Sequence, residues 1–333
     1  MIRSLTAILA AAPLAWLAVA PVHAAPPTND NFTSSLVANP APGVPVVWTA
    51  STVEATVEVG EPQPDCVGLG KTVWYKIPAS DHDRVIAVDT KGSDFDTVVA
   101  VYRVTPGAGI AGLQQVDCAD DSFVATADPV RQGRAAFRAV AGVKYRIQVG
   151  GCCSPDAPDS GSLKVKVTEV TAPVNDDPAG AIAVTSLPTT LTGTTRNATT
   201  FPGGNPPPPD PEPRDCFGSI YGHTVWYYLK FPVDTIVTVD TTGSDFDTVL
   251  AVYEKTGPDF GGLTFLDCND DHDPDGIALE SQVTFLAEAG KKYRIQVGGF
   301  AGDNGNLSIS FSEGAPASAA PAGPVEPVTK KKK

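Results

Sequence analysis

One unit is written twice in this chain, and that repetition constrains the fold more than any other feature. Gly92-Ser93-Asp94-Phe95-Asp96-Thr97-Val98-Val99-Ala100-Val101-Tyr102 returns as Gly243-Ser244-Asp245-Phe246-Asp247-Thr248-Val249-Leu250-Ala251-Val252-Tyr253, an offset of 151 residues. Thr72-Val73-Trp74-Tyr75 returns from Thr224 to Tyr227, and Lys144 to Gly151 returns intact from Lys292 to Gly299. A period of this size is that of a whole domain, so the chain reads as a tandem pair and not as a solenoid of short repeats. Module one is expected at residues 26–170 and module two at 174–313.

Within each module the periodicity is that of strands. Val53, Ala55, Val57 and Val59 alternate with Glu54, Thr56 and Glu58, which predicts a half-buried strand, and Leu163, Val165 and Val167 alternate with polar residues in the same way. Denser β-branched runs at Val85–Val88, Thr97–Val104, Thr235–Val239 and Thr248–Tyr253 predict more deeply buried strands. No segment has the pattern of an amphipathic helix. The expected class is all-β: two tandem antiparallel β-sandwich domains of jelly-roll type, each with seven to nine strands.

Residues 1–24 read as a secretory signal, with Arg3 ahead of an apolar stretch from Leu5 to Ala20 and a small-x-small site at Val22-His23-Ala24. Residues 314–333 are rich in Ala and Pro, end in Lys330–Lys333 and read as a flexible tail. The product is therefore expected to be secreted, periplasmic or at the cell surface, with no transmembrane segment once the signal is removed. The 24 basic residues, five of them in the leader and the lysine terminus, face 38 acidic ones. A field of that sign repels phosphate backbones, so nucleic acid is excluded as the expected partner.

Six cysteines fit an oxidising compartment. Cys66 and Cys118 lie 52 residues apart, as do Cys216 and Cys268, which predicts one bridge per module. Each would restrict the unfolded chain by roughly 4 kcal/mol in the chain-entropy model. No C-x-x-C pair or histidine partner accompanies them, which disfavours a structural zinc site. Cys152-Cys153 has no counterpart in module two; the two close on each other or bridge to another chain, and a strained pair would be a candidate redox switch.

Each module also carries two acidic clusters about 25 residues apart. The first holds Asp94 and Asp96, or Asp245 and Asp247; the second is Ala119-Asp120-Asp121, or Asn269-Asp270-Asp271, with Asp273 and Asp275 following in module two. In an extended segment, carboxylates at i and i+2 share a face. Brought together, the clusters would offer the several oxygen ligands that Ca²⁺ prefers. Asp and Asn also cap turns by bonding their own backbone, and that reading stays open beside the metal. A hydrolytic pair is disfavoured, because the cluster is duplicated and carboxylates at i, i+2 are too close for an inverting mechanism. His82, His223 and His272 occupy non-equivalent positions, and no G-x-S-x-G elbow occurs, so no nucleophilic centre is expected. Trp74, Tyr75, Trp226, Tyr227 and Tyr228 are expected to pack in part and to leave an outward Tyr for stacking on sugar or peptide. Arg146 and Arg294 either pair with the acidic clusters or stay solvated.

Taken in order, Asn29-Asp30 and Asn175-Asp176, Val-Trp-Tyr, Gly-Ser-Asp-Phe-Asp-Thr-Val, Cys-Asn-Asp-Asp and Tyr-Arg-Ile-Gln-Val-Gly-Gly resemble the bacterial pre-peptidase C-terminal domain family, once per module across residues 26–313. The resemblance implies compact β-sandwiches, usually appended to secreted peptidases and similar to collagen-binding modules that hold Ca²⁺. Carried over, the metal ligands would be Asp94, Asp96, Asp120 and Asp121, and Asp245, Asp247, Asp270 and Asp271. No peptidase domain accompanies the modules here. The expected role is therefore non-catalytic binding of an extracellular protein or polysaccharide, and the alternative is a structural or secretion-assisting envelope protein.

Overall fold

The computed structural model describes residues 25–121, 131–153, 157–200, 212–213, 216, 221–258, 260–272, 279–300 and 302–314. The expected signal segment, the lysine tail, Asp273, Asp275 and most of the proline-rich stretch before Cys216 lie outside them.

Among the described residues each module has nine strands. In module one they are β1 (Leu36–Val37), β2 (Val46–Ser51), β3 (Leu69–Ile77), β4 (Arg84–Asp89), β5 (Thr97–Val104), β6 (Leu113–Ala119), β7 (Arg134–Ala139), β8 (Tyr145–Cys152) and β9 (Ser162–Val170). Module two repeats them as β10 (Ile182–Val184), β11 (Thr189–Thr194), β12 (Tyr221–Leu229), β13 (Thr235–Asp240), β14 (Thr248–Lys255), β15 (Leu263–Asn269), β16 (Gln282–Ala287), β17 (Tyr293–Phe300) and β18 (Asn306–Glu313). The sheets of module one run β1-β3-β8-β5-β6 and β2-β9-β4-β7, and those of module two run β10-β12-β17-β14-β15 and β11-β18-β13-β16. Without its first strand, each module has the two interleaved four-stranded sheets of a jelly roll. Pairing is antiparallel except where β1 joins β3 and β10 joins β12 in parallel.

The inner faces of the two sheets meet in one core per module. In module one Val73, Tyr75, Val99, Val101, Ile147 and Val149 from one sheet pack against Ile86, Val88, Phe137, Leu163, Val165 and Val167 from the other. Module two repeats this with Tyr227, Leu250, Ile295, Val239, Ile309 and Phe311 among others. Residues two apart on a strand share a face, so β9 alternates exposed and buried side chains through Leu163, Val165 and Val167 as the sequence predicts.

The stretch Val53–Val59 is not the predicted strand. It runs as irregular chain, with Val53, Val57 and Val59 exposed and only Ala55 buried in the core. Its continuation crosses the outer face of the five-stranded sheet as a strap. That strap explains why Trp74 and Tyr75, neighbours on one strand, are both fully buried. Tyr75 points into the core, while Trp74 enters a second, smaller cluster with Phe32, Ala100, Tyr102 and Cys118. Trp226 and Tyr227 do the same in module two.

A carboxylate sits at the centre of each outer cluster. Glu61 accepts from the Thr72 hydroxyl at 2.6 Å, the Trp74 indole N–H at 3.0 Å and the Gln148 amide at 3.1 Å. Glu212 accepts from Thr224, from Trp226 at 3.2 Å and from Gln296 at 2.9 Å. Tyr102 and Tyr253 extend the networks by donating to the glutamine oxygens. The strap then reaches Cys66, which is bonded to Cys118 on β6, and in module two Cys216 is bonded to Cys268 on β15. Cys152 is bonded to its neighbour Cys153, the first of the two readings left open for that pair.

Removing the carboxylate would strand three buried donors at once. Glu212→Ala is therefore expected to cost about 3–5 kcal/mol in urea unfolding, and Glu212→Gln less, since the amide oxygen still accepts.

Candidate metal centre

The Gly-Ser-Asp-Phe-Asp segment is a bend that leads into β5, not an extended strand. Ser93 donates to the Thr90 carbonyl at 2.7 Å, and the Thr90 and Thr97 hydroxyls meet at 2.6 Å, which closes the turn. Phe95 turns into the core between the two aspartates. Asp94 accepts the Ser162 backbone N–H at 2.7 Å and pins the start of β9. Gly161 is required beside it, because a Cβ there would overlap the Asp94 carboxylate. Asp245 makes the equivalent bond to Asn306, and its second oxygen accepts the Asn306 amide at 2.7 Å. Asp94 and Asp245 thus perform turn chemistry at the start of the last strand of each module.

The remaining carboxylates do converge. Asp96, Asp120 and Asp121 each bring an oxygen within 4.8 Å of the others, and so do Asp247, Asp270 and Asp271. The disulfide anchors the second cluster, since Asp120 and Asp270 follow Cys118 and Cys268 by two residues. Asn269 stays outside the trio. Its oxygen accepts the Gln282 N–H at 2.8 Å and its amide donates to the Asp271 carbonyl, so it shapes the turn. Asp96, Asp120, Asp121, Asp247 and Asp270 each have one buried oxygen without a hydrogen-bond partner among the described residues.

Burial and mutual repulsion act together on these groups. Asp96 is pushed up to about 6 by burial, with Asp121 and Asp159 adding to the effect and Arg131 opposing it. Asp120 is raised to about 7 by burial and then by Asp121 and Asp96. In module two Asp247 is raised to about 7 by burial, Asp270, Asp271 and Asp303, and Asp270 to about 6 by burial and Asp271. Carboxylates that repel one another, and would sooner hold protons than face each other charged, suit a divalent cation.

Two residues that the sequence motifs did not single out belong to this environment. Asp303 accepts the Asp247 N–H at 3.0 Å, and Asp159 occupies the matching position in module one. The two sites differ in charge. Arg131 lines a hollow of about 440 Å³ with Asp94, Asp96, Gln132 and Asp159, whereas Leu279 stands at the equivalent place before β16. Cys152 Sγ also lies 3.5 Å from Asp120 in module one. Arg146 and Arg294 belong to neither cluster: their guanidinium groups stack 4.9 Å and 4.6 Å from the rings of Phe32 and Tyr228. None of the described helices is long and apolar enough to cross a membrane.

The raised carboxyls have a direct consequence for the metal-free protein. They titrate near 4 when unfolded, so protons held up to pH 6–7 stabilise the folded state, and that contribution is lost as pH rises through this range. In EDTA the chain is expected to melt at higher temperature at pH 5 than at pH 8. The Asp120→Asn/Asp247→Asn double variant should show a smaller difference, and an unchanged one would count against the assignment.

No family model and no curated protein matches the chain. Among solved structures it is similar to the CUB1-EGF-CUB2 domains of rat MASP-1, at 9% identity over 84% of this chain and 99% of that one, with a TM-score of 0.19. The N-terminal CBM22-1-CBM22-2 tandem domain of Paenibacillus barcinonensis Xyn10C gives 11% identity over 80% and 91%, with a TM-score of 0.22. The ANX1 ectodomain from Arabidopsis thaliana gives 10% identity over 72% and 80%, with a TM-score of 0.18. At these TM-scores no activity or ligand carries over, and the chain is placed by its own architecture: two tandem all-β sandwiches, each with one disulfide between its strap and a sheet edge.

Proposed function

We propose that this chain is an exported, non-catalytic binding protein built from two modules of the pre-peptidase C-terminal kind, each stiffened by Ca²⁺. The observation that carries the reading is the duplicated carboxylate trio with buried, unpartnered oxygens. Oxygen-only donors with loose geometry match the preference of Ca²⁺. Asp96, Asp120 and Asp121 would hold one ion and Asp247, Asp270 and Asp271 the other; Asp94, Asp245 and Asn269 would hold the turns. Module two, with no cation in the place of Arg131, is the tighter site.

The partner class is an extracellular protein or polysaccharide. The repeated Trp-Tyr pairs are core residues and leave no platform for stacking, which shifts attention to Trp48. It is half-buried in a largely apolar groove of about 660 Å³ with Ala25, Pro27 and Leu36. An aromatic ring in a shallow apolar groove suits a sugar face or a peptide side chain.

Three measurements test this reading. A hundredfold excess of Ca²⁺ over Kd is expected to stabilise each module by roughly 2.7 kcal/mol, seen as a higher melting temperature that EDTA reverses. Titration calorimetry should find two sites, with Asp247→Asn removing the tighter and Asp96→Asn the weaker. A melting curve indifferent to millimolar Ca²⁺ would refute the metal. On a glycan and matrix-protein array, Trp48→Ala should lose whatever signal the unmodified chain gives.

A further inference from the structure

The two modules are joined by an interface that uses different surfaces on the two sides. Module one contributes its open edge strands. Asp117 on β6 lies 3.7 Å from His223 Nε2, and on β7 Arg138 binds Asp176 at 3.0 Å and Asp177 at 2.9 Å, while Arg134 donates to the Arg196 carbonyl and to Asn197. Module two contributes one end of its sandwich: the turn before β10, the turn after β11, the bulge in β12 and the loop after β17. A Cβ at Gly302 in that loop would overlap the Cys118 carbonyl, so the contact extends to backbone.

A joint between unlike surfaces leaves one copy of each surface unused. Among the described residues, nothing covers the end of module one that matches the buried end of module two. Lys71 takes the place of His223 in the bulge, both with φ near +54°, and is half-buried where His223 is fully buried. Val53 stands for Arg196 and is 49% exposed; Asn31 stands for Asp177. The edge of module two that matches the covered edge of module one is likewise uncovered by any described residue. Val116 on β6 is 6% exposed, whereas its counterpart Leu266 on β15 is 41% exposed, as is Phe265, and Leu286, the counterpart of Arg138, is 53% exposed. Edge strands with exposed apolar side chains are ready templates for association.

The differences between the two unused surfaces are matched. Where Arg138 meets Asp176 and Asp177, the free counterparts would be Leu286 with Asp30 and Asn31, so the guanidinium and one of its two carboxylates are absent together, while Asp30 is occupied by the Thr56 N–H and hydroxyl. Where Asp117 meets His223, the free pair would be Asp267 and Lys71, which are of opposite charge. We propose that the β15–β16 edge of module two is a docking surface for the Lys71 end of module one in a second copy of this chain, which repeats the internal joint between molecules. Such a contact is head-to-tail and does not close on itself, so it yields linear oligomers. This inference does not rest on Ca²⁺. Val53 also rims the Trp48 groove, so the variants chosen here avoid Trp48.

Sedimentation velocity of the purified chain over a concentration series tests it. Dimers and longer species are expected to grow in with concentration. Asp267→Lys and Lys71→Asp should each weaken association about tenfold or more by setting like charges together, and the combined Asp267→Lys/Lys71→Asp variant should restore it. Leu286→Glu, a change at an exposed position, should weaken it as well and decides the matter if a reversal does not fold. A single monomeric species up to about 100 μM, a concentration at which weak specific interfaces are populated, overturns the proposal. So does association that ignores Asp267→Lys, Lys71→Asp and Leu286→Glu, or association that appears only after residues 315–333 are removed, since the tail would then be the occupant of that edge.

Discussion

A glutamate on the outer face of each five-stranded sheet, half-buried as Glu61 and buried as Glu212, organises what surrounds it. An ionised or neutral carboxyl in such a place is tolerated only when its oxygens are occupied, and Glu61 and Glu212 each collect a threonine hydroxyl, an indole N–H and a glutamine amide. These donors come from adjacent strands, while the glutamate comes from the strap, so the network ties the strap across the sheet. The strap buries Trp74 and positions Cys66 opposite Cys118; the corresponding residues in module two are Trp226, Cys216 and Cys268. Two residues beyond the second cysteine, the aspartate pair is held against the aspartate that opens β5 or β14. Strap, disulfide and acidic centre form one connected unit.

The two copies share this unit and differ at their margins. Arg131 and the Cys152–Cys153 bond modify the first acidic centre, whereas among the described residues the second gathers Asp247, Asp270 and Asp271 with Leu279 in the place of Arg131. Arg134 and Arg138 let the β6–β7 edge receive a neighbour, while Gln282 and Leu286 give the matching edge of module two a less charged face. In a duplicated domain, shared residues report what the fold and its centre require, and unshared ones report what each copy touches. The substitution of a bulge lysine by a buried histidine is of the second kind.

Much of the architecture was legible in advance because it follows from local periodicity. The runs Thr97–Val104 and Thr248–Tyr253 became central strands, and the alternation of Leu163, Val165 and Val167 became β9. Val53–Val59 misled because alternation of valines with polar residues is also what an irregular chain shows when one small residue, Ala55, anchors it. The carboxylate centre was legible in composition but not in membership. At the bend around Phe95 or Phe246, Asp94 and Asp245 bond the start of the last strand, while Asp96 and Asp247 join the carboxylate trios. Glu61 and Glu212 carry no local mark of their role beyond a Glu-Pro pair that precedes the first cysteine in both modules.

Sequence alone determined that this is a tandem β protein with equal cysteine spacing and duplicated acidic turns, because repetition, alternation and spacing are properties of the chain as a line. The tertiary structure decided which aspartates meet, why two adjacent aromatic residues can both be buried, and which edge of module one is covered by module two. Each of these depends on segments tens to more than a hundred residues apart being brought within a few ångströms, and side chains at such separations leave no local pattern to read.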